Sequence, residues 1–323
     1  MRYVVIGAGA VGGTIGARLA EAGRDVVLVA RGRHLEAIRE NGLRLDDPER
    51  SRRVRTPAVG SVDDVDWRPG DVALLATKTQ DTEPVLDALA ARAPDVVIAC
   101  AQNGVANERM AAARFSRVQA VLVILPAEYY EPGVVIASSA PVPGVLDVGT
   151  YPSGTDDVSD AIAADLTAAG FSSTADPDVM AGKYGKLLTN LANAVEASCG
   201  LNDPAFDDLA AAATGEGERV LAAAGITART GDDDRVRRDG LITQRPVGGQ
   251  ERGGGSSWQS LRRGAGSIEA EYLNGEIVAL GARHGVATPA NAVLARVAAE
   301  MAAAGEQPAS RRGADLTAAA QAS

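Results

Sequence analysis

Lysine is nearly missing from this chain: of its 32 basic residues only Lys78, Lys183 and Lys186 are not arginine. Where arginine serves at every position that needs only a cation, the remaining lysines mark places where a guanidinium would fail. An ammonium loses its proton when its pKa is lowered, and a guanidinium does not. Cysteine and histidine are scarce as well. Cys100 and Cys199 alone build neither a disulfide scaffold nor a four-cysteine zinc site, and with His34 and His284 they show no ligand spacing, so no metal is expected. Positive charge is not in excess: a net charge of −10 over 323 residues argues against nucleic acid as the main partner. No apolar run reaches the roughly 18 residues of a membrane span. The sequence opens on a strand-like segment and not on a basic-then-apolar leader. These absences predict a soluble cytoplasmic protein. Neither a G-x-S-x-G elbow nor an H-E-x-x-H pair occurs.

What is present begins at once. Arg2–Ile6 reads as a buried strand, followed by Gly7-Ala8-Gly9-Ala10-Val11-Gly12, a helical stretch to Ala22, a C-terminal Gly23 and a second apolar strand over residues 25–30. Strand, glycine turn, helix and strand within about 30 residues give the G-x-G-x-x-G pattern the context that makes it a dinucleotide-binding signature. Gly7 allows the tight turn, Gly9 lets the backbone approach a pyrophosphate, and Gly12 lets helix and strand pack closely. After the second strand an NAD-preferring site carries Asp or Glu for the ribose hydroxyls. Here the chain runs Val29-Ala30-Arg31-Gly32-Arg33. An arginine fork suits a 2′-phosphate, so NADP(H) is the expected cofactor, with Arg31 the first contact and Arg33 the second.

Further strands are predicted over residues 54–59, 71–77, 95–101 and 118–125, alternating with helical intervals as in a doubly wound parallel sheet. Ligands of such sheets gather beyond the carboxyl ends of the strands. Lys78 lies past one such end and Gln102-Asn103-Gly104 past the next. Strands over 133–138 and 144–149, a helix over 156–169 and a strand over 171–175 finish the first half. Helices are predicted over 179–198, 204–224, 268–284 and Pro289–Ala304. Residues 231–256, with Asp232-Asp233-Asp234-Arg235 and then Gly253-Gly254-Gly255, have the composition of a mobile loop. The expected architecture is α/β: an N-terminal Rossmann-type domain over 1–175, a mostly helical substrate and catalytic domain over 176–305, and a disordered tail over 306–323. The active site is expected between the two halves.

In the second half, Lys183, Lys186, Asn190 and Asn193 recur at three- and four-residue steps and form one polar stripe beside an apolar arc of Leu187, Leu188, Leu191 and Val195. Such a face fits a helix lining a cleft. Ser256-Ser257-Trp258 and the segment Glu269-Ala270-Glu271-Tyr272-Leu273-Asn274-Gly275 are the other candidates. Glu269 also suits the first turn of a helix through the macrodipole alone. His34 and His284 read as surface or packing residues.

The order of these segments resembles the ketopantoate reductase (2-dehydropantoate 2-reductase) family. The likeness rests on the glycine turn, Ala30-Arg31-Gly32, Thr77-Lys78, Gln102-Asn103-Gly104, Lys186 with Asn190, Ser256-Ser257 and Glu269 to Gly275, and runs to about Ala304. It implies that Lys186 is the general acid, protonating a ketone oxygen while NADPH delivers hydride to the carbon. Desolvation beside an apolar arc would bring such a lysine toward working pH. The resemblance further implies that Asn103 holds the carbonyl near the nicotinamide, that Lys78 adds positive charge toward cofactor or substrate, and that Asn190, Ser257 and Glu269 bind the substrate's hydroxyl, carboxylate and hydroxyl. Where the family usually has a further asparagine this chain has Ala194, with Asn193 one place earlier. Three functions therefore stand: NADPH-dependent reduction of ketopantoate to pantoate, reduction of another 2-oxo acid or an imine, or cofactor binding by a non-catalytic sensor. The expected partner is a small 2-oxo acid, and the expected state a monomer or homodimer.

Overall fold

The computed structural model describes residues 1–322 and forms two compact units. The first comprises Met1–Met180 with Arg235–Arg252, and the second Ala181–Asp234 with the chain from Gly253 onward. The main sheet of the first unit has seven strands. In spatial order they are Val145–Thr150, Val118–Ile124, Val97–Cys100, Asp71–Leu75, Arg2–Ile6, Asp25–Val29 and Ala58–Val59. All neighbours are parallel except the edge strand Val145–Thr150. The chain thus winds outward from Arg2–Ile6 first to one side and then to the other, the doubly wound order expected.

Alternation along these strands feeds two cores. Tyr3 and Val5 join Ile15 and Leu19 of the helix Ala10–Glu21 on one face, and Val4 and Ile6 join Val85, Leu86 and Leu89 of the helix Thr82–Arg92 on the other. A strand buried on both faces reads as a continuous apolar run, which is why RYVVI was legible as a strand. Two short strands, Leu43–Asp46 and Ser51–Val54, belong to a separate four-stranded sheet with Ala127–Glu128 and Val134–Ala137. The single strand expected over 54–59 is therefore corrected: only Ala58–Val59 enters the main sheet. Residues 171–175 form isolated bridges to the edge strand in place of a strand of their own.

The second unit is helical: the helix Val179–Asn190 enters it, followed by Ala192–Cys199, Phe206–Ala223, Ser256–Arg262, Asn274–His284, Pro289–Ala304 and Gly313–Gln321. The tail is not disordered as expected. Its alanine-rich run forms the last helix, anchored by buried Leu316 and by the close seat of Gly313 against Asp203 and Ala205, the Gly313 N–H donating to Asp203 Oδ2 at 2.9 Å. The 231–256 segment is not a plain loop either. Gly231–Arg238 is a helix with three aspartates in its first turn and three arginines in its last, the arrangement its macrodipole favours. Thr230 and Asp233 cap it reciprocally: Asp233 N–H donates to Thr230 Oγ1 at 3.2 Å and Thr230 N–H to Asp233 Oδ2 at 3.0 Å. Charge sorted by helix end, and not mixed charge, was the signal.

Residues 235–252, expected in the second half, dock within the first unit. Ile242–Gln244 pairs antiparallel with Ser139–Pro141. Arg237 donates from Nε and Nη2 to Asp147 at 2.9 and 2.6 Å and from Nη1 to Ser172 Oγ at 2.9 Å, while Asp147 Oδ1 also accepts from Thr174 N and Oγ1. The Asp147 side chain is 2% exposed and that of Arg237 26%. We expect Asp147→Ala to lower the stability of the first unit by about 2–4 kcal/mol, somewhat less than a fully buried pair because the arginine is partly solvated. Trypsin should then cut at Arg237 and Arg238. Unchanged denaturant unfolding and unchanged cleavage would show that the pair does not hold the segment.

Candidate functional site

The first cluster lies where the winding reverses, at the carboxyl ends of Arg2–Ile6 and Asp71–Leu75. Gly7 has φ +98°, and a Cβ on it would sit 2.8 Å from Thr77 N. A Cβ on Gly12 would collide with Gly7 O and approach Ala76 Cβ at 2.7 Å. A Cβ on Gly9, by contrast, would meet nothing within 4 Å. So two of the three motif glycines are required by protein packing, and the third faces open space. Gly9 is the N-cap of the helix Ala10–Glu21, with no side-chain cap and no acidic residue in the first turn. Gly7 and Ala8 N–H groups are taken by Val29 O at 3.1 and 3.3 Å, which pins the turn to the second strand. The uncapped helix start beyond is what an anionic group needs. Arg31, exposed, is the N-cap of the helix Gly32–Asn41 just past the second strand. No carboxylate follows that strand before Glu36. These features fit a 2′-phosphorylated dinucleotide.

Lys78 and Asn103, both partly buried, lie past the next two strand ends. A polar network ties their loops. Gln102 Nε2 donates to Thr77 O at 2.9 Å and to Thr82 Oγ1 at 2.8 Å, Thr82 Oγ1 donates to Asn107 Oδ1 at 2.9 Å, and Asn107 Nδ2 donates to Asn103 O at 3.1 Å. Thr82 and Asn107 are fully buried, so these bonds are made away from water, where leaving one unmade is costly.

His34, expected at the surface or in packing, is a buried packing residue, 8% exposed. Gly133 N–H donates to its Nδ1 at 2.8 Å, which makes Nδ1 the acceptor and leaves Nε2 to donate to Ala8 O at 2.7 Å. The neutral ring thus bridges the glycine turn to the loop before Val134–Ala137, edge-on to Tyr129 at 4.7 Å. Burial lowers its pKa, partly opposed by the bond to Ala8. Its spacing of three residues beyond Arg31, on the buried side of a short helix, was the available signal.

The second cluster belongs to the helical unit. Lys186 and Asn190, each partly buried, lie on Val179–Asn190; Lys183 is 3% exposed, the most buried of the three lysines. The helix predicted over 179–198 breaks at Leu191, and Ala192–Cys199 follows. Ser257 is the second residue of the helix Ser256–Arg262, whose approach is held by Glu196: its Oε2 accepts from Gly255 N–H at 2.9 Å. A Cβ on Gly254 or Gly255 would lie 2.6–2.7 Å from the Glu196 carboxylate, so these glycines permit close packing and do not mark a mobile loop. Asn193 Oδ1 lies 3.1 Å from the Cβ position of Gly255, and Ala194 is buried. The Ser257 hydroxyl is buried and has no hydrogen-bond partner among the described residues. Glu269, 5% exposed, opens a 3-10 turn, Glu269–Tyr272, that precedes the helix Asn274–His284 in place of one long helix. Among the described residues no group of three or more His, Cys, Asp or Glu is placed to hold a metal ion.

With both clusters described, comparison with known proteins is decisive. The ketopantoate reductase PanE/ApbA model matches residues 3–153, and the model of the C-terminal domain of the same family matches residues 178–302. The chain belongs to the ketopantoate reductase family. It is 29% identical to the 2-dehydropantoate 2-reductase of Pyrococcus horikoshii over 59% of this chain and 62% of that one, so that match spans less than two thirds of the relative. Its likeness to the enzyme of the same name from Caulobacter vibrioides is 32% over 90% of this chain and 95% of the relative. The crystal structure of a PanE/ApbA family ketopantoate reductase from Ralstonia eutropha superposes with a TM-score of 0.79 at 27% identity, covering 94% and 99% of the two chains. This family of oxidoreductases accounts for the order of sheet unit and helical unit. No helix among the described residues is long and apolar enough to cross a membrane.

Two outcomes follow. Gly12→Ala should destabilise the first unit by about 2 kcal/mol or more, because overpacking against backbone cannot relax cheaply, whereas Gly9→Ala should leave thermal unfolding nearly unchanged and weaken dinucleotide binding. Equal thermal losses for the two would refute the division of roles. For His34, a folded pKa below the unfolded value of about 6.5 means its stabilisation is complete above that pH and lost as pH falls through the folded value. The Tm should decline as pH falls below about 6.5, and His34→Gln should remove that part of the decline. A parallel decline in the variant would assign it to other groups.

Proposed function

We propose that the chain reduces a small 2-oxo acid, ketopantoate in the first place, with NADPH as reductant. The observation that carries this reading is the buried Ser257 hydroxyl without a protein partner. A hydroxyl in that state costs free energy unless a ligand supplies the bond, and a substrate carboxylate is a strong acceptor for it. Glu269, buried, and Asn190, partly buried, both belong to the second unit and supply an acceptor and an amide for a substrate hydroxyl. Lys186 is assigned as general acid, donating its Nζ proton to the ketone oxygen as it gains charge. A reduced nicotinamide supplies the hydride when bound. In the first unit the uncapped helix start at Gly9 and the amides beyond it attract the pyrophosphate, Arg31 takes the 2′-phosphate, and Lys78 adds positive charge. Asn103, its backbone fixed by Asn107, orients the carbonyl.

A second reading, another 2-oxo acid, is favoured by buried Ala194 where the family usually has an asparagine: no amide is offered there. The relatives named 2-dehydropantoate 2-reductase support ketopantoate as the first substrate to try. The test is NADPH oxidation with ketopantoate and a panel of 2-oxo acids. Lys186→Ala should lower kcat by about 10²- to 10⁴-fold, as loss of a positioned acid does, with NADPH affinity nearly intact. Lys186→Arg should restore little. Lys183→Ala should act mainly on KM. If Lys183→Ala abolished turnover while Lys186→Ala retained it, the two roles would be exchanged.

A further inference from the structure

The break at Leu191 comes one residue after Asn190 and five after Lys186, and a buried polar chain is built onto it. Leu191 N–H is shared between Leu187 O at 3.2 Å and Leu188 O at 3.3 Å, so the ladder tightens as the helix ends. Asn274 Nδ2 donates to Leu191 O at 3.2 Å and to Asn291 Oδ1 at 3.0 Å. Asn291 Nδ2 in turn donates to Ala213 O at 2.9 Å and to Glu216 Oε2 at 2.8 Å. The Glu216 carboxylate closes the chain by accepting from Ala290 N–H at 2.9 Å and Asn291 N–H at 3.0 Å, at the start of Pro289–Ala304. Thr288, the N-cap of that helix, supplies no side-chain cap of its own. Leu191, Asn274 and Asn291 have no exposed surface and Glu216 has 4%.

The order of donors is forced. A carboxylate accepts only, so Asn291 must turn its amide nitrogen toward Glu216 and its oxygen toward Asn274. Asn274 must then present its nitrogen to Asn291 and to Leu191 O. Its own Oδ1 is left buried without a partner among the described residues. Leaving an amide oxygen unsatisfied in the core is unfavourable, and it is offset here by the two bonds that the amide nitrogen makes to Leu191 O and Asn291 Oδ1. The arrangement is retained at the one carbonyl that follows the Lys186–Asn190 face.

From this geometry we infer that Asn274 is a positioning residue: it sets where the helix bearing Lys186 and Asn190 ends, and through that the placement of both side chains. The inference rests on the assignment of Lys186 as general acid. It separates two residues of one motif, with Glu269 facing substrate and Asn274 facing the helix break.

The test compares the unmutated protein with Asn274→Ala, Asn274→Ser and Leu294→Ala. Leu294 is a fully buried core residue on the same helix as Asn291 and serves as a matched packing lesion. Asn274→Ala should lower kcat for 2-oxo acid reduction by roughly 10- to 100-fold, the scale of an ångström-level misplacement, with NADPH affinity within about twofold of the original. Amide exchange over residues 187–195 should speed up. Asn274→Ser keeps one donor and should recover part of kcat, whereas Leu294→Ala should lower Tm without changing kcat or that exchange. If Asn274→Ala lowers Tm with kcat and the exchange of 187–195 unaltered, or if Leu294→Ala reproduces its whole profile, the positioning role is wrong. Should the unmutated protein reduce no 2-oxo acid, the function reading fails by itself, and the exchange of 187–195 still decides whether Asn274 holds the break.

Discussion

The first unit depends on the absence of clearance between the glycine turn and the neighbouring strand end. Gly12 has no room for a methyl group against Gly7 O and Ala76, and Gly7 has none against Thr77. Helix, turn and two strand ends are therefore locked at van der Waals distance, and the helix start is aimed into the crevice where the winding reverses. Everything placed there follows from that lock. Arg31 caps the next helix over, the Gln102–Thr82–Asn107 network fixes the loops bearing Lys78 and Asn103, and His34 braces the turn from behind through Ala8. Rigid backbone close to a ligand is what lets an arginine fork and a helix terminus discriminate one phosphate pattern from another.

The helical unit solves a different problem, that of holding a few polar groups in an apolar bundle. It does so by ending helices where those groups are needed. At the break after Asn190 the Leu191 carbonyl accepts from Asn274, the break at Leu273 separates Glu269 from the helix behind it, and Glu196 holds Gly255, which leads into Ser257. Close helix approach is again bought by missing side chains: a Cβ on Gly217 would lie 2.6 Å from Leu188 and 3.1 Å from Leu191. Short helices with defined ends place side chains at more angles than one long helix would.

The sequence made the parallel sheet legible because strands buried on both faces read as apolar runs and because the glycine turn has a fixed context. The candidate residues of both clusters were legible as well, through the scarcity of lysine and the family resemblance. Helix breaks were not. The apolar period runs straight through Leu191, and only the distant Asn274 amide marks the interruption. The partners of His34 were not legible, because a lone histidine carries no pattern and Ala8 and Gly133 are 26 and 99 residues away along the chain. The segment 231–256 and the tail were misjudged by composition, which is blind to charge sorted toward helix ends and to one leucine anchoring an alanine run.

The most direct test asks whether the glycine turn at Gly9 and Arg31 together select a 2′-phosphorylated adenine dinucleotide. Equilibrium titration of the unmutated protein with adenosine 2′,5′-bisphosphate and with adenosine 5′-phosphate isolates that selection from substrate and chemistry. Binding of the bisphosphate about tenfold tighter or more, a difference of about 1.4 kcal/mol, is the predicted result. Equal affinities for the two would contradict it.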